Sequence, residues 1–273
     1  MKRPVVLSIA GSDPGGGAGI QQDLKVLTVL KVYGCTAITA LTVQNTMGVQ
    51  AVYPVAGSIL RDQILAVVED ISPPVVKIGM LSTRENVEAA AAALYGREDC
   101  FIVADPVMLS KNGRALLDED AVCSYRDKLF PIIDLITPNI PECARLTGVS
   151  SQEPEFSEKA MIKLFSLMAE ARPSGRRSPA ILLKGGHDTS AATCTDILYM
   201  DGRFHLYESR RLMNPHTHGT GCTLSSAIAA FIARGEAVVK AVEKARNFVF
   251  EAIRGGFPLG RGTGPVDPMV FLK

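Results

Sequence analysis

Short runs of apolar and β-branched residues alternate along the chain with longer stretches whose apolar positions recur at helical spacing. The runs at 5–11 (VVLSIAG), 35–43 (CTAITALTV), 75–80 (VVKIGM), 100–107 (CFIVADPV), 132–138 (IIDLITP) and 180–186 (AILLKGG) show little polar alternation. Strands of that kind are covered on both faces, as in a parallel sheet. Amphipathic or alanine-rich stretches at about 19–32, 57–70, 83–95, 118–128 and 157–171 predict the intervening helices. The order implies an α/β fold in three layers, with a mostly parallel central sheet and helices on both faces. The segment 193–211 differs: it alternates around a DG turn and predicts an antiparallel hairpin. Two further helices are expected at about 220–234 and 236–254.

No boundary divides the pattern, so residues 1–273 are expected to form one domain. RPSGRRSP at 172–179 reads as a solvated loop joining a helix to a strand. The Gly/Pro-rich segment 255–268 must lie against the surface or stay mobile. Apolar residues make up 47% and charged residues 21%, with a formal net charge of +1. That balance argues against a nucleic-acid surface, yet leaves room for a small anion held by backbone amides. The six cysteines form no C-x-x-C pair, so zinc ribbons and thioredoxin-like motifs find no support. The N-terminal apolar run is short and leads into glycines, which reads as a first strand instead of a signal peptide. No apolar stretch approaches bilayer length, and a cytoplasmic location with reduced thiols is expected.

Ligands of an open parallel sheet bind at the carboxyl ends of its strands. After the first strand comes GSDPGGGAGIQQD, whose glycines allow close backbone approach and whose following helix offers free amides. It is no Rossmann fingerprint, because Gln or Ile occupies the third glycine position, and no P-loop, because no Gly-Lys-Ser/Thr follows. A plain strand–helix turn is the alternative. The stretch THGTGCTLSSAIAAF repeats the logic: Gly219, Thr220, Gly221 and Cys222 open a helix, so several amides should face one concavity suited to a transferred phosphoryl group. Cys222 is there either as inert filling or as a reactive group, and the positive end of the helix dipole would favour its thiolate. Near other strand ends, Asp105 in ADPVM and Glu142 in TPNIPE could hold Mg²⁺, or serve as a turn Asp and a helix-start Glu. Asn139 lies in the same TPNIPE loop. Lys184 in LLKGGH could meet phosphate as a point charge. His187, His216 and His218 lack H-x-x-x-H spacing and read as loop residues, with His218 placed to shape the glycine loop.

Together, IAGSDPGGGAGIQQDLK, TALTVQNTMGV, VKIGMLST, ADPVM, KNGRALL, LITPNIPE, LLKGGH and HTHGTGCTLSSAIA closely resemble the hydroxymethylpyrimidine/phosphomethylpyrimidine kinases of thiamin biosynthesis, in the ribokinase-like superfamily. They run in the family's order over nearly the whole chain. The resemblance implies that Cys222 is the base that removes the hydroxymethyl proton, where most of the superfamily uses Asp. It implies that the amides from Gly219 to Cys222 stabilise the phosphoryl group and that Lys184 contacts phosphate. Asp105 and Glu142 match the metal region, and Asn139 the phosphate region. Gln44, Gly11, Asp23, Met80 and Val107 match the pyrimidine pocket, with Gln44 reading the ring. ATP and Mg²⁺, two successive phosphorylations and a homodimer are further implications.

Pyridoxal kinase is the nearest rival, since pyridoxal also carries a hydroxymethyl group on a nitrogen heteroaromatic ring. Some pyridoxal-active relatives place a second cysteine in the lid, where this chain has Ser110 in LSKNG. A non-catalytic pyrimidine-binding protein would be expected to lose the base, the anion hole or the metal residues, all of which stand here. A nicotinamide dehydrogenase fails on glycine spacing.

Overall fold

The computed structural model describes residues 3–109, 113, 115–186 and 192–272. Its strands are β1 (Val5–Ser12), β2 (Tyr33–Asn45), β3 (Gly48–Pro54), β4 (Val75–Ile78), β5 (Phe101–Ala104), β6 (Leu135–Ile136), β7 (Ala180–Leu183), β8 (Thr193–Met200) and β9 (Arg203–Arg210). All nine join one sheet in the order β3-β2-β1-β4-β5-β6-β7-β8-β9. The six from β2 to β7 are parallel, while β3 at one edge and β8–β9 at the other are antiparallel.

The helices are α1 (Gly19–Val29), α2 (Gly57–Asp70), α3 (Arg84–Leu94), α4 (Glu119–Ser124), α5 (Ile140–Thr147), α6 (Phe156–Ala171), α7 (Thr220–Ala233) and α8 (Val238–Arg254). They cover the two faces unequally. Leu7, Ile9, Val76, Ile78, Ile102, Ile136, Ile181 and Leu183 pack under α2 to α6. Val6, Val75, Val103, Leu135, Ala180 and Leu182 pack under α1, α7 and α8. Because successive side chains point to opposite faces, β1 and β4 to β7 each supply both cores, which is why these runs read as unbroken apolar sequence.

The expected α/β architecture stands, with differences in detail. β3 was not anticipated; it is a half-exposed edge strand that follows β2 after two residues and pairs through a bulge at Val43/Gln44. The predicted strands 75–80, 100–107 and 132–138 end early, because their last apolar residues belong to loops at the sheet's carboxyl edge. The helix expected at 118–128 is α4 followed by a π turn at Tyr125–Leu129. Residues 172–179 are not a purely solvated loop. Arg172 and Arg176 are buried against Asp134, at 2.8 and 3.1 Å from its two oxygens, so the loop is tied to the base of β6. The 255–268 segment lies against the molecule: the Thr263 amide donates to Thr46 O and the His218 amide to Gly264 O. Among the described residues, no helix is long and apolar enough to cross a membrane.

Candidate active site

On the face beneath α1 and α7, β1 and β4 to β7 start apolar and end polar. β1 carries Val6 and then Ser8, β4 Val75 and then Lys77, and β5 Val103 with Asp105 just beyond its end. Leu135 of β6 is followed on the same face by Thr137, and Leu182 of β7 by Lys184. The register aligns these rows, since Lys77 pairs with Ser8 on one side and Val103 on the other. The result is a polar strip at the carboxyl edge. Thr137 Oγ1 and Lys184 Nζ donate to Asp105 Oδ1 at 3.2 and 2.7 Å.

The N-terminus of α7 sits over this strip. Its cap, Gly219, has φ 82°, and a Cβ there would overlap the Gly17 carbonyl, so only glycine lets the two glycine loops touch. A Cβ on Gly221 would lie 3.3 Å from Asp105 Oδ2 and 3.8 Å from Lys184 Nζ. The amides of the first turn, one carboxylate and one ammonium therefore converge on one small region.

Cys222 lies in that first turn, partly buried. Burial pushes its thiol up to about 11, with Lys77 pulling down and Asp23 and Asp105 pushing up. The expectation that the helix start would favour the thiolate is thus outweighed. A helix N-terminus contributes about 0.3–1 kcal/mol, less than the ~1.4 kcal/mol of one pKa unit.

Asn139 and Glu142 form a capping box at the start of α5: Asn139 Oδ1 accepts from the Glu142 amide at 2.9 Å, and Glu142 Oε2 from the Asn139 amide at 2.8 Å. Glu142 is therefore a helix-start carboxylate, and it also lies 3.9 Å from Lys184 Nζ. Burial raises Glu142 to about 7, against the pull of Lys184. Lys184 is held charged: burial opposes the charge, but Asp105 and Glu142 raise it above the ordinary lysine value. No cluster of three or more metal-type side chains occurs among the described residues. Two hard carboxylates do suit Mg²⁺, which keeps waters and phosphate oxygens for its remaining positions.

Of the residues matched to the pyrimidine pocket, Gly11 and Met80 meet, a Cβ on Gly11 lying 3.3 Å from Met80 Sδ. Val107 follows Asp105 in the loop after β5, its amide donating to Asp105 O at 2.8 Å. Gln44 comes from β2 and lies 3.2 Å from His218 Nε2 through its Nε2. Asp23 is 0% exposed, and its oxygens take Ser8 Oγ at 2.6 Å, Lys77 Nζ at 2.8 Å and Ser226 Oγ at 2.7 Å. Ser110 and His187 fall outside the described residues.

Two groups escaped notice in the sequence. Asp13 accepts from the Gly15, Gly17 and Ala18 amides at 2.8, 3.1 and 2.9 Å and lies 3.0 Å from His218 Nε2, so it ties the first glycine loop to the second. Burial alone would raise Asp13, but the bonds from His218 and the Gly15 and Ala18 amides lower it. Lys77 is 1% exposed. A charge inside a strand otherwise apolar on both faces was its signal.

An amide-lined hole, a lysine, paired carboxylates and a nearby thiol at the carboxyl edge of an α/β sheet define a site for moving a phosphoryl group onto a small molecule. The family described as phosphomethylpyrimidine kinase matches residues 13–267. A hydroxymethylpyrimidine/phosphomethylpyrimidine kinase of Streptomyces coelicolor is 44% identical over 97% of this chain and 94% of its own. A thiamine biosynthesis bifunctional protein of Geobacter sulfurreducens is 45% identical over 99% of this chain, which spans 53% of that longer protein. The solved ADP complex of Bacillus subtilis pyridoxal kinase superposes with a TM-score of 0.86 at 31% identity, covering 100% of each chain. The chain belongs to the phosphomethylpyrimidine kinase family.

Proposed function

We propose that this chain transfers the γ-phosphoryl group of ATP to the hydroxymethyl oxygen of 4-amino-5-hydroxymethyl-2-methylpyrimidine, then a second one to the resulting monophosphate, in thiamine biosynthesis. The observation that carries the reading is the convergence of the α7 amides, Asp105 and Lys184 at Gly221, next to Cys222. In this reading the Cys222 thiolate accepts the hydroxyl proton as the oxygen forms its bond to Pγ and the bond from Pγ to ADP breaks. Phosphoryl transfer asks mainly for positioning and charge stabilisation. The amides of Gly219, Thr220, Gly221 and Cys222 receive the charge on the moving group, and Lys184 and the side-chain Nδ2 of Asn139 meet phosphate oxygens. Gln44 reads the ring while Gly11, Met80 and Val107 line it. Asp105 and Glu142 would hold Mg²⁺, which supplies charge neutralisation on the phosphates. The protein works in the cytoplasm as a homodimer; exposed Leu41, Val43 and Tyr53 on β2 and β3 offer apolar surface for a second copy.

Pyridoxal phosphorylation is the second reading, favoured by the similarity to the Bacillus subtilis pyridoxal kinase. ADP release with Mg-ATP and each of hydroxymethylpyrimidine, its monophosphate and pyridoxal separates the two. Turnover of both pyrimidines with little on pyridoxal supports the first; turnover of pyridoxal alone replaces it with the second.

A further inference from the structure

Lys77 is a charged side chain with no place in the chemistry above, and it is 1% exposed in the middle of a parallel sheet. Its ammonium would lie 2.8 Å from a Cβ on Gly79, two residues further along the same face. The side chain therefore runs along β4 toward the carboxyl edge, where the N-terminus of α7 lies. There it meets Asp23 at 2.8 Å, and Asp23 in turn accepts from Ser226 at 2.7 Å. Ser226 stands four residues after Cys222 on α7, one turn down the same stripe. Lys77, Asp23 and Ser226 thus form a buried chain that ends directly below the thiol.

As a device for stability the pair makes poor sense. Two charges taken out of water commonly gain no more than an apolar pair of similar volume would. Ser8 and Ser226 also donate to Asp23, and neutral side chains at both 23 and 77 would remove a large desolvation cost. An ammonium under a residue that has to lose a proton inside a low-dielectric site has a stronger rationale.

We propose that Lys77 is a positioning residue for the reaction: its buried charge, aimed along β4 at the first turn of α7, is what lets Cys222 exist as a thiolate. The inference rests on the role of Cys222 proposed above. The charged groups around the thiol come from four elements: Lys77 on β4, Asp23 on α1, Asp105 after β5 and Lys184 after β7. Asp23 and Asp105 oppose ionisation of the thiol, and Lys77 is the strongest group acting for it. Lys77 itself stays charged, because burial is outweighed by Asp23 and then by Cys222.

The test is the rate of Cys222 alkylation by iodoacetamide as a function of pH, followed on the Cys222 peptide by mass spectrometry in the full chain and in Lys77→Met. The proposal expects the midpoint to move up and the rate at pH 9 to fall roughly tenfold or more, the equivalent of one pKa unit. A midpoint that stays or moves down overturns it. Should Lys77→Met fail to fold, the double variant Asp23→Asn/Lys77→Met leaves no unpaired buried charge; it is compared with Asp23→Asn, which has already lost the opposing carboxylate, and the same upward shift between those two is required. Pyrimidine turnover by the unaltered protein tests the functional reading separately, since alkylation needs no substrate.

Discussion

The two faces of the parallel sheet are made by the same strands and end differently. Under α2 to α6 the rows stay apolar to the last residue, with Ile9, Ile78, Ala104, Ile136 and Leu183 all buried in one core. Under α1 and α7 the neighbouring positions turn to Ser8, Lys77, Asp105, Thr137 and Lys184. A period of two separates a scaffold from a site, so a one-residue change of register would exchange them. The site is one-sided for a physical reason: its polar ends need the amides of α7 and the carboxylate of α1, both of which lie on that face alone.

The sharpest way to divide the faces is to remove one residue from each. Cys222→Ala should lower turnover by about 10²–10⁴, the usual contribution of a positioned base, with little change in the urea midpoint. ADP release and urea titration read the two quantities, and full activity in the variant would make the thiol a bystander. Ile78→Ala, at a position that is 0% exposed on the scaffold face, should do the reverse. It should cost about 2–5 kcal/mol of stability while kcat of the folded fraction holds, as far as the cavity leaves Lys77 next door in place. Equal losses of activity in both variants would dissolve the distinction between the faces.

Gly219 joins the two regions at the top. Gly219→Ala must hold a positive φ and push against the Gly17 carbonyl, strain of about 1–3 kcal/mol. The chain can relieve it by moving the loops apart, so kcat/KM should fall more than stability does. An unchanged kcat/KM with a lowered melting temperature would show that loop contact matters only for folding.

Much of this contrast was legible in the sequence, and the exceptions follow a rule. The unbroken apolar runs announced strands covered on both sides, and the glycine-Cys222 loop announced the helix start. What period reading missed lay where it carries least signal. β3 is a short edge strand whose partner is set by a bulge, and Met80 and Val107 continue an apolar run into loops that bind no ladder. Lys77 was inside a correctly read strand, but one charge in VVKIGM does not say what it faces until α1 and α7 are packed over it. Asp23 was matched to the pocket by resemblance alone, and its partners Ser8, Lys77 and Ser226 become visible only once three elements are packed around it.

Glu142 offers the finest test, because it belongs to both regions: its backbone starts a scaffold helix and its carboxyl faces the polar strip. Burial holds it at about 7, against an ordinary value of 4.5. Between those values the folded chain keeps a proton that the unfolded chain has released, so stability falls as pH rises through that window and levels off above it. One proton gives a slope of no more than about 1.4 kcal/mol per pH unit. Glu142→Gln keeps a carbonyl oxygen for the Asn139 amide but cannot ionise, so urea midpoints measured from pH 4.5 to 7.5 should lose that slope. If the slope survives the substitution, the titrating group lies elsewhere and Lys184 is holding Glu142 ionised throughout. Loss of the slope together with weaker Mg-ATP binding would instead mean that one buried carboxyl sets the price of the site in the empty protein and repays it when the ligand arrives.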